Sequence, residues 1–217
     1  TAGTVAGYQP YFVTNAVLVE GNTTALDALE LRTDTVYIAD ASDFRLPRPS
    51  PAPARPSLSA IEWSLQQIGA HTVWNEYGVR GAGVVVGNID TGVMSEHPAL
   101  VNQYRGTADG SHDYNWFDPG SFSPGEPADD NGHGTHTMGT MVGSDGGDHQ
   151  IGVAPAAQWI AAKGCQGRSC ESGSLLAAAQ WMLAPYPIGG SPDQGDPARR
   201  PHIINNSWSG YGGQLWY

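Results

Sequence analysis

Residues 83–90 read Gly-Val-Val-Val-Gly-Asn-Ile-Asp. An apolar run so nearly uninterrupted is the pattern of a β-strand covered on both faces. Two further short runs, "QWIAAKG" (158–164) and "HIINNS" (202–207), read as strands of the same kind. Between them lie two stretches suited to helices. "HGTHTMGTMVG" (133–143) has Asp130 or Asn131 as its expected cap, and "SGSLLAAAQWML" (172–183) has Ser172 or Ser174. Strands alternating with helices imply parallel β-α units, so the expected fold class is α/β, a parallel sheet flanked by helices. Residues 102–132 read as a long polar loop carrying the aromatic group Tyr114, Trp116 and Phe117. In such sheets chemistry gathers at the carboxyl ends of the strands, and Asp90 falls at one of them.

The first forty or so residues carry a different pattern. "YFVTNAVLVE" (11–20) reads as a strand, "TTALDALEL" (23–31) as a helix capped by Thr23 or Thr24, and "TVYIAD" (35–40) as a second strand. This small α+β unit is too small to be stable unless it packs on something else. Residues 45–57, "RLPRPSPAPARPS", place a proline at nearly every second position. Proline fixes φ and donates no amide hydrogen, so an extended linker is expected there, a domain boundary open to processing.

The chain has 217 residues, enough for one good core or one core plus an appendage. Its net charge of -11, from Lys+Arg 10 against Asp+Glu 21, argues against a nucleic-acid partner, because phosphate contacts need clustered cations. No apolar run approaches the roughly 20 residues of a membrane span, so membrane insertion is not expected. The mean hydropathy of -0.32 suits a soluble globular chain. The first residue is Thr1. Either a leader has been removed or upstream residues are missing. The cysteines, Cys165 and Cys170, enclose Gln-Gly-Arg-Ser. A local disulfide in an oxidising compartment is the favoured reading, with two reduced thiols and a zinc site as alternatives.

Asp90 opens an Asp-Thr-Gly triplet, which serves two unrelated ways of hydrolysing a peptide bond. An acid-acid site needs two carboxylates sharing a proton, yet the chain holds a single Asp-Thr-Gly and helical stretches foreign to an all-β fold. The other chemistry needs a histidine oriented by the carboxylate. "DDNGHGTHTMGT" (129–140) offers His133 at the opening turn of a helix, free to face a cleft, and His136 one turn deeper, expected as a packed core imidazole. A metal pair at these two histidines is disfavoured. The zinc-peptidase helix spaces its histidines four apart with a glutamate after the first, and Gly134 stands in that place.

"VVVGNIDTGV", "NGHGTHTMGTMVG", "IGVAPAAQWIAAKG" and "IINNSWSG", in that order, resemble the subtilisin-like serine peptidases, and among them the bacillopeptidase F-like type of secreted bacterial enzyme. The resemblance spans roughly residues 60–217. It implies that Asp90 is the aspartate of an Asp-His-Ser triad and His133 its general base. It also implies that Ser207, Trp208, Ser209 and Gly210 form the edge that pairs with an extended substrate. A glycine usually stands where Ser209 stands, so the resemblance leaves the primary pocket narrowed.

The same resemblance organises the rest of the chain. Residues 1–44 correspond to part of an inhibitory propeptide, 45–57 to the region holding the maturation site, and 58–217 to the N-terminal portion of the catalytic domain. The Gly-Thr-Ser of the nucleophile and the oxyanion asparagine are not among these residues, so the expectation is a fragment, inactive alone, of a secreted endopeptidase. Its partners are protein or peptide substrates and its own propeptide. No cofactor is required, although structural calcium is implied by the resemblance, with Asp145 and Asp148 able to offer oxygens. The alternative is a pseudopeptidase that keeps the cleft for binding peptides without cleaving them.

Overall fold

The computed structural model describes residues 4–41, 43–46 and 60–209. In chain order, β1 (Val5–Tyr11) and β2 (Ala16–Gly21) form an antiparallel hairpin, and α1 (Thr23–Glu30) follows. A two-residue strand β3 (Phe44–Arg45) stands apart from them. Next come α2 (Trp63–Gln67), α3 (Ala70–Tyr77) and β4 (Val85–Asp90). Then α4 (Arg105–Asp109), β5 (Trp116–Phe117), α5 (His133–Val142) and β6 (Gln158–Lys163) complete the middle of the chain. The last described elements are β7 (Ser169–Cys170), α6 (Ser172–Leu183) and β8 (Ile203–Asn206).

The principal sheet runs β5-β6-β4-β8, and every neighbouring pair is parallel. The fold class is therefore the α/β architecture that the alternating pattern implied. Residue parity divides the sheet into two buried faces. Val85 and Ile89 of β4 join Ile160 and Ala162 of β6 in a core with Leu175, Ala178, Trp181 and Met182 of α6. Val86 of β4 joins Trp159 and Ala161 in a second core with Met138 and Val142 of α5 and with Tyr104. All six residues of β4 are buried, which is why its sequence reads as a continuous apolar run. The same parity puts Asn88 and Asp90 on the α5 face. The site begins there.

Several local expectations are corrected. Residues 11–20 do not form one strand, because the chain reverses at 12–15, where Asn15 takes φ 51. Left-handed backbone suits asparagine, and that residue marks the turn. Residues 35–40 form no strand: Val36 and Tyr37 are 99% and 79% exposed, and β-branched residues favour a strand only where they can pack. The cap of α1 is Asn22, whose side chain accepts from the Ala25 amide at 3.2 Å, in place of Thr23 or Thr24. Gly132 and Glu171 occupy the N-cap positions of α5 and α6 without side-chain capping bonds, in place of Asp130 or Asn131 and Ser172 or Ser174. The stretch 102–132 is less irregular than expected, since it contains α4 and β5. Arg45 belongs to a strand and Leu46 is buried beside it, so the extended linker does not begin at 45. Its remainder, 47–57, lies outside the described residues. His136 is exposed, because α5 buries the face carrying Gly134, Met138 and Val142 and residue 136 points the other way.

The hairpin docks on α6. Tyr11 donates its hydroxyl to the Gly173 carbonyl at 3.1 Å, and the Phe12 amide donates to Gln180 Oε1 at 2.8 Å. Beneath that contact Trp181 is fully buried, stacks on Phe117 at 5.6 Å between ring centroids and donates its indole hydrogen to the Tyr186 carbonyl. Trp181→Ala is expected to cost about 3–5 kcal/mol of stability. Urea denaturation followed by fluorescence checks this, and a loss under ~1 kcal/mol would contradict the packing described.

Candidate active site

Asp90 ends β4 with its side chain fully buried. A carboxylate there needs partners, since burying one unpaired is costly. Its Oδ1 accepts from the Thr91 amide at 2.7 Å and lies 2.8 Å from His133 Nδ1. Its Oδ2 accepts from the Thr137 hydroxyl at 3.3 Å. A carboxylate can only accept, so the hydrogen of this pair sits on Nδ1, and Nε2 is the ring nitrogen left for other partners. The His133 side chain keeps 16% of its surface exposed. The ring orientation of a partly exposed histidine is thus set from behind by a buried acid.

Two glycines permit the close packing around the end of β4. A Cβ on Gly134 would lie 2.0 Å from the Gly92 carbonyl oxygen and 3.1 Å from Asp90 Cβ. A Cβ on Gly92, at φ +100, would lie 1.9 Å from the Ala128 carbonyl oxygen. The glycines of Asp-Thr-Gly and His-Gly-Thr therefore stand where the strand end and the helix start touch. Thr91 ties the same corner together, since its hydroxyl accepts from the Gly134 amide at 3.0 Å and donates to Asp129 Oδ1 at 2.8 Å.

Asp129 was not singled out from sequence, yet it organises the start of α5. It accepts from the amides of Asn131, Gly132 and Thr135 at 3.0, 2.8 and 2.8 Å and from the Thr135 hydroxyl at 2.6 Å. Burial pushes its pKa up, but those hydrogen bonds outweigh burial and hold it below the ordinary value of 3.8. It supplies from three residues upstream the capping that the N-cap Gly132 cannot. Lys163, also unanticipated, is 4% exposed at the end of β6. Its Nζ donates to the Thr91 carbonyl and pairs with Asp130, both at 2.6 Å. Asn88 is buried behind the pair. It donates to the Gly134 carbonyl and Thr137 hydroxyl and accepts from Asn205 at 2.9 Å, linking β4, α5 and β8. The doubled acid of Asp129-Asp130 and the lysine closing an apolar strand were the available signals.

A cleft edge flanks this corner. Cys165 and Cys170 are joined by a disulfide, closing a loop next to Asp90, whose carbonyl accepts from the Cys165 amide at 3.0 Å. The Ser207 hydroxyl accepts from Asn205 at 2.9 Å, and Trp208 donates its indole hydrogen to the Ile89 carbonyl at 3.0 Å. The Ser209 carbonyl accepts from the Arg45 amide at 3.2 Å, while Gly210 lies outside the described residues. On the other side β3 pairs antiparallel with β7, Phe44 opposite Cys170 and Arg45 opposite Ser169. Phe44 also meets the Trp208 ring edge-on at 5.1 Å. Residues 44–46 thus lie as an extended strand between 168–170 and 208–209.

Among the described residues no group of three or more His, Cys, Asp or Glu side chains is placed to hold a metal ion. Asp145 and Asp148 are exposed, and Asp145 accepts from the Gly147 amide at 2.8 Å.

A parallel α/β sheet whose strand-end carboxylate orients a histidine at the start of α5 defines a hydrolase-like corner. The profile of the subtilase family matches residues 81–214, and the chain belongs to that family of subtilisin-like serine peptidases. It is 42% identical to bacillopeptidase F of Bacillus subtilis (strain 168) over 168 residues, covering 74% of this chain and 11% of that protein. It is 35% identical to M-protease of Shouchella clausii (strain KSM-K16) over 161 residues, covering 72% of this chain and 34% of that one. Subtilisin Savinase of Lederbergia lenta is 38% identical over 127 residues, covering 57% of this chain and 40% of its own. The chain therefore spans about a tenth to two fifths of these relatives.

Two expectations follow from the geometry. Gly134→Ala is expected to cost about 1–3 kcal/mol by forcing α5 off β4. Gly139→Ala, whose Cβ would meet nothing within 4 Å, is expected to cost nothing or to stabilise. Equal thermal midpoints for the two variants would contradict the close approach. Asp129→Asn is expected to cost about 1–3 kcal/mol at neutral pH through lost charge-assisted hydrogen bonds. The depressed folded pKa means that the wild-type advantage is full above the ordinary value of 3.8 and is lost as pH falls through the lower folded value. Urea denaturation at pH 7 and pH 3 should show the gap narrowing only at the acid end.

Proposed function

We propose that this chain is part of a subtilisin-like serine endopeptidase precursor, with Asp90 and His133 as the acid and base of an Asp-His-Ser triad. The observation that carries the reading is the 2.8 Å contact between His133 Nδ1 and a fully buried Asp90. In this reading His133 Nε2 takes the proton of a serine hydroxyl as that oxygen attacks the peptide carbonyl. Asp90 stabilises the imidazolium that forms, and Nε2 then gives the proton to the leaving amine. The serine and the oxyanion-hole donor are assigned to another segment of the whole protein, since no Gly-Thr-Ser occurs in these residues. Substrates would be proteins or peptides, bound extended along 168–170 and 207–210.

Residues 1–44 are assigned to a propeptide and 45–57 to the maturation region, and the support is the arrangement of the N-terminal unit. The hairpin sits on α6, and residues 44–46 lie as a strand along the cleft edge. That placement suits an internal inhibitor whose tail holds the substrate's position until it is cut and released. The disulfide supports an oxidising, extracellular destination. No helix among the described residues is long and apolar enough to cross a membrane. A peptide-binding pseudopeptidase would use the same cleft edge without chemistry.

Labelling of the full-length processed protein by a fluorophosphonate separates the two. Labelling is expected in the wild type, with loss in His133→Ala. Loss of the orienting carboxylate from such triads costs on the order of 10⁴-fold in kcat, and Asp90→Asn should fall by that order in peptide hydrolysis. A wild type that does not label, or a His133→Ala variant that labels equally, would remove the peptidase reading and leave the binding one.

A further inference from the structure

The bond that stands out at the cleft edge comes from a side chain. Leu46 donates its amide to the Arg168 carbonyl at 3.1 Å, and the guanidinium of the same arginine donates from Nη2 to the Leu46 carbonyl at 2.5 Å. Arg168 therefore engages both main-chain polar groups of Leu46, one through its carbonyl and one through its guanidinium. In a regular antiparallel ladder a main-chain amide would serve that carbonyl. Two amides of the loop just before Arg168 are committed elsewhere. The Gln166 amide donates to the Ser169 carbonyl at 2.8 Å, and the Gly167 amide to Asp130 Oδ2 at 3.0 Å. The side chain of Arg168 serves the Leu46 carbonyl.

The loop is built to hold that arginine in place. The Cys165–Cys170 disulfide closes it. Asp130, which anchors Gly167, is itself paired with the buried Lys163. Gly167 takes φ 54, a conformation that favours glycine and turns the chain just before Arg168. Arg168 itself is exposed and contributes nothing to either core, so its contact with Leu46 is not a by-product of packing. A fixed backbone lowers the entropy lost when the guanidinium closes on a peptide, and a charged donor makes the bond stronger than an amide would.

We propose that Arg168 is a substrate-positioning residue, clamping through its guanidinium the main-chain carbonyl of whichever peptide residue lies where Leu46 lies. The proposal rests on the peptidase reading for its kinetic consequence, though not for the contact itself. Every peptide residue has a carbonyl, so the clamp acts on affinity for any extended chain and leaves side-chain preference to the pockets on either side. It acts two positions along the strand from Phe44, where Trp208 supplies the apolar contact. The same clamp holds the chain's own segment 44–46 in the precursor.

Two readouts on the full-length protein test it. In the precursor, hydrogen–deuterium exchange at Arg45 and Leu46 is expected to quicken on the order of ten-fold in Arg168→Ala and less in Arg168→Lys, the loss of one charge-assisted bond. The amides of Cys165, Gln166 and Ser169 and of the β1–β2 hairpin should be unchanged. In the processed protein, Arg168→Ala is expected to raise KM roughly ten-fold for peptides of unrelated sequence while kcat stays within about two-fold. Unaltered exchange at 45–46, or equal loosening of the whole 165–170 loop, would overturn the clamp. So would an unchanged KM in a protein that hydrolyses peptides. A protein that shows the exchange effect but hydrolyses nothing would retain the clamp and remove the peptidase reading instead.

Discussion

A buried carboxylate at the end of a central strand must be satisfied, and the rest of this structure is arranged around doing so. Asp90 has no solvent contact, so the Thr91 amide, the Thr137 hydroxyl and the His133 imidazole together take the place of water. That requirement draws α5 against the end of β4, where glycine at 134 permits the approach and glycine at 92 makes room for the Ala128 carbonyl. It also fixes the imidazole's tautomer and direction. The chemistry available at Nε2 is a consequence of how Asp90 is solvated by protein.

Behind this pair lies a second layer of charge. Asp129 gathers the amides at the head of α5, and Thr91 joins it to the Gly134 amide, so strand end and helix start move as one piece. Lys163 and Asp130 extend the network across β6 to the disulfide-closed loop. Asn88 and Asn205 carry it the other way, to β8 and the segment that follows. Polar networks of this kind rigidify a site when every member is satisfied. The corner with Asp90 and His133 and the two segments that flank residues 44–46 thereby share one framework.

Much of this was legible in the chain. The apolar run 83–90 marked a doubly covered strand because all six residues of β4 are buried, and two-residue parity then put Asp90 on the α5 face. The spacing of small residues after His133 marked a helix that could approach closely. Less legible were features in which tertiary contact overrides local preference. Val36 and Tyr37 have strand-forming side chains but no partner strand to pack against, and they are exposed. His136 looked suited to a core, yet the helix rotation set by Gly134 and Met138 turns it outward. The cap of α5 was misplaced because Asp129 reaches the α5 amides from outside the positions where a cap is sought.

What the amino-acid order determined by itself was the alternation of strands and helices, the strand-end acid, the helix-start histidine and the glycines between them. These are periodicities and steric exclusions, carried by residues close together in the chain. Only the tertiary structure decided that residues 44–46 lie between 168–170 and 208–209, that Lys163 pairs with Asp130, and that Arg168 reaches the Leu46 carbonyl. Each of those contacts joins residues more than thirty positions apart. Long-range pairings depend on the packed sheet to bring their partners within hydrogen-bonding range, and no local pattern records them.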